Sequence, residues 1–262
     1  MNRFSRTALA FGLALSLVPL AQAADLPDAR TLIDAHIAAA GGREALLRAA
    51  QGTSKVQMEI VENGMKLDMT MYARDSDRAT IMTIPGAGDF RSGYVGGVAW
   101  GMDPMNGPRL LQGKERDQAV EQSDNRYSFY DASVIASAKT VGLSDSEGRP
   151  CYRVEIKWTN GRDSAACFST ADGLMLSNES TVVTAMGEVK QVSHITEYRD
   201  IGGAKVSAKA KSKAAGMTQI INLLSYDPAV PADAFALPPA IEALVKKAGE
   251  NAATGNEARS SD

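Results

Sequence analysis

The chain has 262 residues, with 28 lysines and arginines against 31 aspartates and glutamates and a formal net charge of −3 at pH 7. So even a balance excludes a polyanion such as nucleic acid as the main partner, which would call for a strongly basic face. Hydrophobic residues make up 44% of the chain, enough to bury one sizeable core.

Arg3 and Arg6 precede an apolar run over residues 8–20 that ends in Ala21-Gln22-Ala23, the pattern of a signal peptide at 1–23 cleaved after Ala23. No cysteine follows that site to take a lipid, and no later stretch approaches the roughly 18 apolar residues needed to span a membrane. The expected product is exported and soluble. Residues 28–40 then place Leu32, Ile33, Ile37 and Ala40 at helical spacing, with Asp25 or Asp28 as cap and a stop at Gly41-Gly42. Residues 43–50 make a second short helix, and the apolar stripe of the pair needs the following sheet to bury it.

Residues 56–72, VQMEIVENGMKLDMTMY, are two alternating runs around Asn63-Gly64, a strong hairpin signal. A two-residue turn there sets Ile60 against Leu67, Met58 against Met69 and Val56 against Met71 on one face, and Glu59 against Asp68 on the other. That like-charge pair is tolerable only in water, so the apolar face must cover something. Three methionines on it suit a core or the adaptable wall of an apolar site.

Residues 78–84 and 90–95 read as the next strands, and Gly96-Gly97 turns into a strand at 98–103 that carries Trp100 and Met102. Trp100 is expected opposite Gly93, where the missing side chain leaves room for the indole, a packing device first and a ligand contact second. Pro104 and Asn106-Gly107-Pro108 end this meander, and the polar segment 113–126 is a solvated cover or a mobile lid. From residue 139 alternation resumes in five runs, at 139–143, 152–158, 165–169, 174–198 with a break near Gly187, and 206–226 broken at Gly216. Short turns without intervening long helices predict an antiparallel meander. Lys205, Lys209, Lys211 and Lys213 share parity, as a solvated outer face or a protected edge, or as a docking surface for anionic lipid or an acidic partner. Residues 241–247 read as a last helical turn or two, and 248–262 as a disordered polar tail, leaving 24–247 as the domain.

An exported chain with two cysteines, Cys151 and Cys167, is a candidate for one disulfide, yet a two-residue turn at Asn160-Gly161 would set Val154 opposite Cys167 and point the thiols to opposite faces. His36 and His194 lie in no metal-ligand spacing, and there is no nucleophile elbow, phosphate loop or dinucleotide fingerprint. The expectation is a protein without catalytic residues, metal or cofactor.

Several segments together resemble a known family: the AAGGREAL run at 39–46, the Asn-Gly hairpin, GVAWGMDP at 97–104, GRPCY at 148–152, ADGLM at 171–175 and the closing FALP at 235–238. They resemble the outer-membrane lipoprotein-sorting family, periplasmic proteins like the lipoprotein carrier, with a LolA-like domain. The resemblance implies an α+β fold, mainly β, in which an antiparallel sheet curls into an incomplete barrel whose concave face is covered by helices. It implies a non-enzymatic periplasmic binder of a lipid or acylated lipoprotein, active in lipoprotein sorting or lipid trafficking. On that reading the ligand meets Val56, Met58, Ile60, Leu67, Met69 and Met71, with Trp100 and Met102 on a neighbouring strand. The alternative is an envelope regulator or scaffold that grips a protein partner through the same fold.

Overall fold

The computed structural model describes residues 26–184 and 187–259, so the expected signal peptide and its cleavage site lie outside the described residues. Helix α1, Ala29–Ala39, starts where the Asp28 carboxylate accepts the Thr31 N–H at 3.1 Å, as its capping position predicts. It stops at Gly41, whose φ is +103°. A Cβ there would stand 2.0 Å from the Gly203 carbonyl oxygen, so only glycine lets the helical hairpin cross the sheet this closely. Helix α2, Arg43–Ala49, follows.

Thirteen strands among the described residues form one sheet with every neighbour antiparallel. The first meander comprises β1 Gly52–Ile60, β2 Met65–Arg74, β3 Asp77–Ile84, β4 Gly88–Val95, β5 Val98–Asp103 and β6 Gly107–Leu110. The second comprises β7 Ile135–Ser146, β8 Arg149–Trp158, β9 Asp163–Ser169, β10 Met175–Thr184, β11 Gly187–Ile201, β12 Ala204–Ala214 and β13 Met217–Asp227. The two join where β1 pairs with β13, which leaves β6 and β7 as opposite edges of a sheet that does not close into a barrel. Those edges are consecutive in sequence, so the connection between them has to travel across the whole sheet. It does so as α3, Gly113–Ser123, α4, Asn125–Ser128, and a 3₁₀ turn at Ala132–Val134. Strand β6 departs from the expected end of the meander at Pro104, because Pro108, which has no N–H to give, is tolerated on an edge strand.

Two registers differ from the two-residue-turn expectation. In the first hairpin Met58 pairs with Leu67, Val56 with Met69 and Ile60 with Met65, a shift of two positions that keeps all six side chains on one face. The cause lies on β13, where Thr218 accepts the Val61 N–H at 2.9 Å and donates its own N–H to the Glu62 carboxylate at 2.8 Å, drawing residues 61 and 62 out of the ladder. The expected Glu59–Asp68 pair is therefore replaced by Glu59 beside Lys66 and by a Gln57–Asp68 hydrogen bond of 3.0 Å. In the β8–β9 hairpin Val154 pairs with Ala166 instead of Cys167, because Trp158 accepts from Gly161 and donates to Arg162 around a three-residue loop. That single step turns both cysteines to one face, and Cys151 and Cys167 form a disulfide across a Cα separation of 5.5 Å.

The main core lies between α1 and the β8–β9 region. Ile33, Val154, Ile156 and Phe168 are almost wholly buried there, beside Tyr130, Val134 and Trp158. Strand β12 alternates cleanly, with Lys205, Lys209, Lys211 and Lys213 exposed and Ala204, Ala208, Ala210 and Ser212 buried. The last helix, α5 Pro239–Arg259, outruns the expected one or two turns and enters the segment read as a tail, a stretch of alanines and glutamates with good helix propensity.

A hollow beneath the crossing helix

Register carries one face of the sheet continuously from β1 to β6. Val56, Met69, Met82 and Phe90 form one cross-strand row, Met71, Thr80, Ser92 and Gly101 the next, and Ala73, Arg78, Tyr94 and Ala99 a third. Small residues in the second row lower the floor, and α3 runs above it. The space between is a cavity of about 390 Å³, walled by Met69, Met82, Phe90 and Tyr94 of the sheet and by Glu115, Gln118, Ala119 and Gln122 of α3. On the other flank of α3 a wider groove of about 880 Å³ has polar walls, among them Asn178, Ser180 and Gln191. The two share Gln118, Gln122 and Val183, so α3 divides one hollow. A third, more apolar pocket of about 220 Å³ lies by Ala49 of α2, over Val56, Met71, Ala208, Ile221 and Leu223.

Helix α3 is held by polar groups. Among its residues only Ser123 is buried. The Gln118 amide accepts the Val183 N–H at 2.6 Å and donates to the Val183 carbonyl at 3.2 Å, on a stretch of β10 that has already left β9. Lys114 pairs with Glu188 at 2.9 Å, Glu115 with Arg109 at 3.6 Å, and Glu121 with Arg162 and with the Asn160 amide.

Charge in the cavity wall is unevenly neutralised. Arg109 meets Asp103 at 2.7 Å, whose carboxyl is held at about 2 chiefly by the Asn106 backbone N–H. Arg91 meets Asp89 at 3.0 Å. Arg78 is half-buried, and burial pulls its pKa below the ordinary arginine value. It donates to the carbonyls of Asp75 and Asp77, at 2.9 and 2.8 Å, and to Asn125 Oδ1 of α4 at 2.8 Å, all neutral acceptors.

Of the residues expected to meet a ligand, Met69 walls the large cavity, and Val56 and Met71 wall the pocket by α2. Met58, Ile60 and Leu67 share their face and lie outside these walls, the last two buried. Trp100 corrects the expectation. It does pair with Gly93, but both have the opposite parity, so the indole belongs to the other face of the sheet. The C-terminal segment covers that face, with Thr53 donating to the Ala229 carbonyl at 2.8 Å and Arg74 stacked over Phe235. Met102 shares the parity of Trp100 and still borders the cavity near the sheet edge. The sequence did not mark Arg78, Met82, Phe90 or Tyr94 as walls, and it offered 113–126 as a cover or lid without placing Glu115, Gln118, Ala119 and Gln122 over this face. The period of two along Arg78, Thr80 and Met82 carried the signal for β3, whereas nothing local announces the path of α3.

Among the described residues, no group of three or more His, Cys, Asp or Glu side chains could hold a metal ion, and no helix is long and apolar enough to cross a membrane. No family model matches the chain, and no curated protein matches its sequence. Solved structures do match. A DUF1329 family protein from Desulfovibrio piger aligns with 80% of this chain and 98% of its own, at 12% identity and a TM-score of 0.53. A LolA superfamily protein from Nitrosomonas europaea aligns over 81% of this chain and 99% of its own, at 9% identity and a TM-score of 0.49. A putative outer membrane lipoprotein-sorting protein domain from Vibrio parahaemolyticus aligns over 74% and 93%, at 10% identity and a TM-score of 0.47. At these identities the likeness is one of fold.

Proposed function

We propose that this chain is a non-enzymatic protein of the periplasm that shelters the acyl chain of a lipid or of a lipid-modified partner between its sheet and α3, in lipoprotein sorting or lipid trafficking. The observation that carries the reading is the mismatch between floor and roof. Methionines, Phe90 and aliphatic residues point into a space whose cover, α3, buries no large apolar side chain and is fastened by side-chain amides and ion pairs. An apolar floor under a roof without an apolar stripe leaves its hydrophobic surface to be satisfied by something else.

The driving force is adequate. Each buried methylene contributes about 0.8 kcal/mol, so ten of them give a gross gain of about 8 kcal/mol before the losses of association. Native mass spectrometry and lipid extraction from gently purified protein test the reading, together with uptake of a fluorescent fatty acid. Co-purifying lipid or saturable uptake supports it, and the absence of both overturns it.

A second reading, a protein partner, is favoured by the wide polar groove beside β10. Beyond Glu179 that strand has lost its β9 neighbour, and an extended peptide that displaced Gln118 from the Val183 N–H and carbonyl would find a strand edge there. Crosslinking that traps one protein on this groove, without lipid, would favour it.

A further inference from the structure

The cavity has two chemically different parts. Its apolar row is Met69, Met82 and Phe90, and four residues along the strands, two rows on, the same face presents Arg78 beside Tyr94. Each of the other arginines in the wall stands within 4 Å of a carboxylate, Arg109 beside Asp103 and Glu115 and Arg91 beside Asp89. Arg78 has no such partner among the described residues. Its guanidinium is held half-buried by two backbone carbonyls and one side-chain amide, while the Asp77 and Asp75 carboxylates act on its charge from beyond 4 Å without outweighing the effect of burial. Those bonds use three of its five N–H groups. A fixed, half-desolvated guanidinium with donors to spare attracts a pair of anionic oxygens strongly, because charge-assisted and bidentate bonds gain strength where water is scarce.

We infer that the ligand of this hollow is an anionic amphiphile, its acyl chain lying along Met69, Met82 and Phe90 and its negatively charged head on Arg78. This rests on the acyl-binding reading above and adds the charge of the ligand to it. The recognised chemistry is shared by a fatty-acid carboxylate and a phosphate monoester. A neutral head of the same length would leave the guanidinium facing an uncharged group and lose the charge-assisted bonds.

The experiment measures binding of dodecanoate, dodecyl phosphate and dodecanol to the full mature chain, in its wild-type, Arg78→Gln and Arg78→Lys forms, with thermal melts to check folding. For the wild type, one or both anions should bind about tenfold or more tightly than the alcohol, and the better anion names the source of the head group. Arg78→Gln should bring the anion-to-alcohol ratio close to one, and Arg78→Lys should keep most of it. Because Arg78 also ties β3 to α4, a measurement that needs no variant accompanies these: the pKa of ¹³C-carboxyl dodecanoate bound to the wild type, expected below that of the free acid. Equal binding of alcohol and anions by the wild type overturns the inference while leaving the acyl reading intact. So does a ratio that survives in a folded Arg78→Gln variant, or a bound carboxyl whose pKa is not lowered. Failure of all three probes to bind removes the acyl reading, and this inference with it.

Discussion

His36 is buried on α1 with its Nδ1 accepting the Met175 N–H at 3.2 Å, and desolvation brings its pKa down from 6.5 to about 4, against an opposing hydrogen bond at the Gly173 backbone. The unfolded chain therefore takes up a proton near pH 6.5 that the native state refuses until about pH 4. Stability contributed by the neutral ring is complete above pH 6.5 and is lost as the pH falls toward 4, by up to about 3 kcal/mol. Melting curves should fall across that window in the wild type, and His36→Gln should lower the melting temperature at pH 7 but flatten its pH dependence. An unchanged slope in the variant would assign the acid sensitivity to other groups. Gly93 makes a different kind of demand. A Cβ there would stand 2.6 Å from the Arg78 carbonyl oxygen and 2.9 Å from Trp100 Nε1, so one methyl group displaces either backbone or indole. Gly93→Ala should cost about 1–3 kcal/mol in urea denaturation and red-shift tryptophan emission. Wild-type stability with an unmoved spectrum would mean that the indole has slack.

Among the elements, the crossing helix and the disulfide hairpin answer to separate forces. Gln118 supplies α3 with a pair of bonds to Val183 and has no apolar burial behind it, so Gln118→Ala should raise hydrogen exchange of α3 by about tenfold and leave the β8–β9 core protected. Uniform deprotection of sheet and helix would show instead that α3 opens only with the whole domain. The Cys151–Cys167 bridge spans 16 residues, and replacing both cysteines by serine should lower stability by about 3 kcal/mol, read from the urea midpoint. These two elements also mark where the sequence was legible. Alternation located the strands, a capping aspartate at 25 or 28 located the start of α1 to within a turn, and Gly96-Gly97 set Trp100 on Gly93, because each depends on neighbours within a few residues. Both hairpin registers escaped it. One was set by Thr218, 156 residues beyond Glu62, and the other by a loop one residue longer than the shortest turn. The face of Trp100 escaped for a related reason, since parity counted from β1 requires every intervening register to be right.

At the scale of the molecule, the hollow follows from topology. A sheet built of two meanders joined at β1 and β13 leaves consecutive strands at opposite edges, and the connection between them must pass over one face. A crossing segment that is polar cannot sink into the sheet, so it bridges above the floor, and the space below persists in proportion to how small the residues beneath it are. Ordinary core packing would run the other way, with a roof helix sending large apolar side chains down to meet Met69, Met82 and Phe90. Ala119, on the underside of α3 and in the cavity wall, is where such a side chain belongs. Ala119→Trp therefore separates a site from a packing defect. If the hollow exists to be occupied, the indole should fill it, weaken fluorescent fatty-acid binding by about tenfold or more, and leave the melting temperature unchanged or higher, since filling an apolar void without strain is stabilising. A variant that melts well below the wild type would show that the space under α3 is already tightly filled, and a variant that binds the probe as before would move the ligand to the pocket by α2.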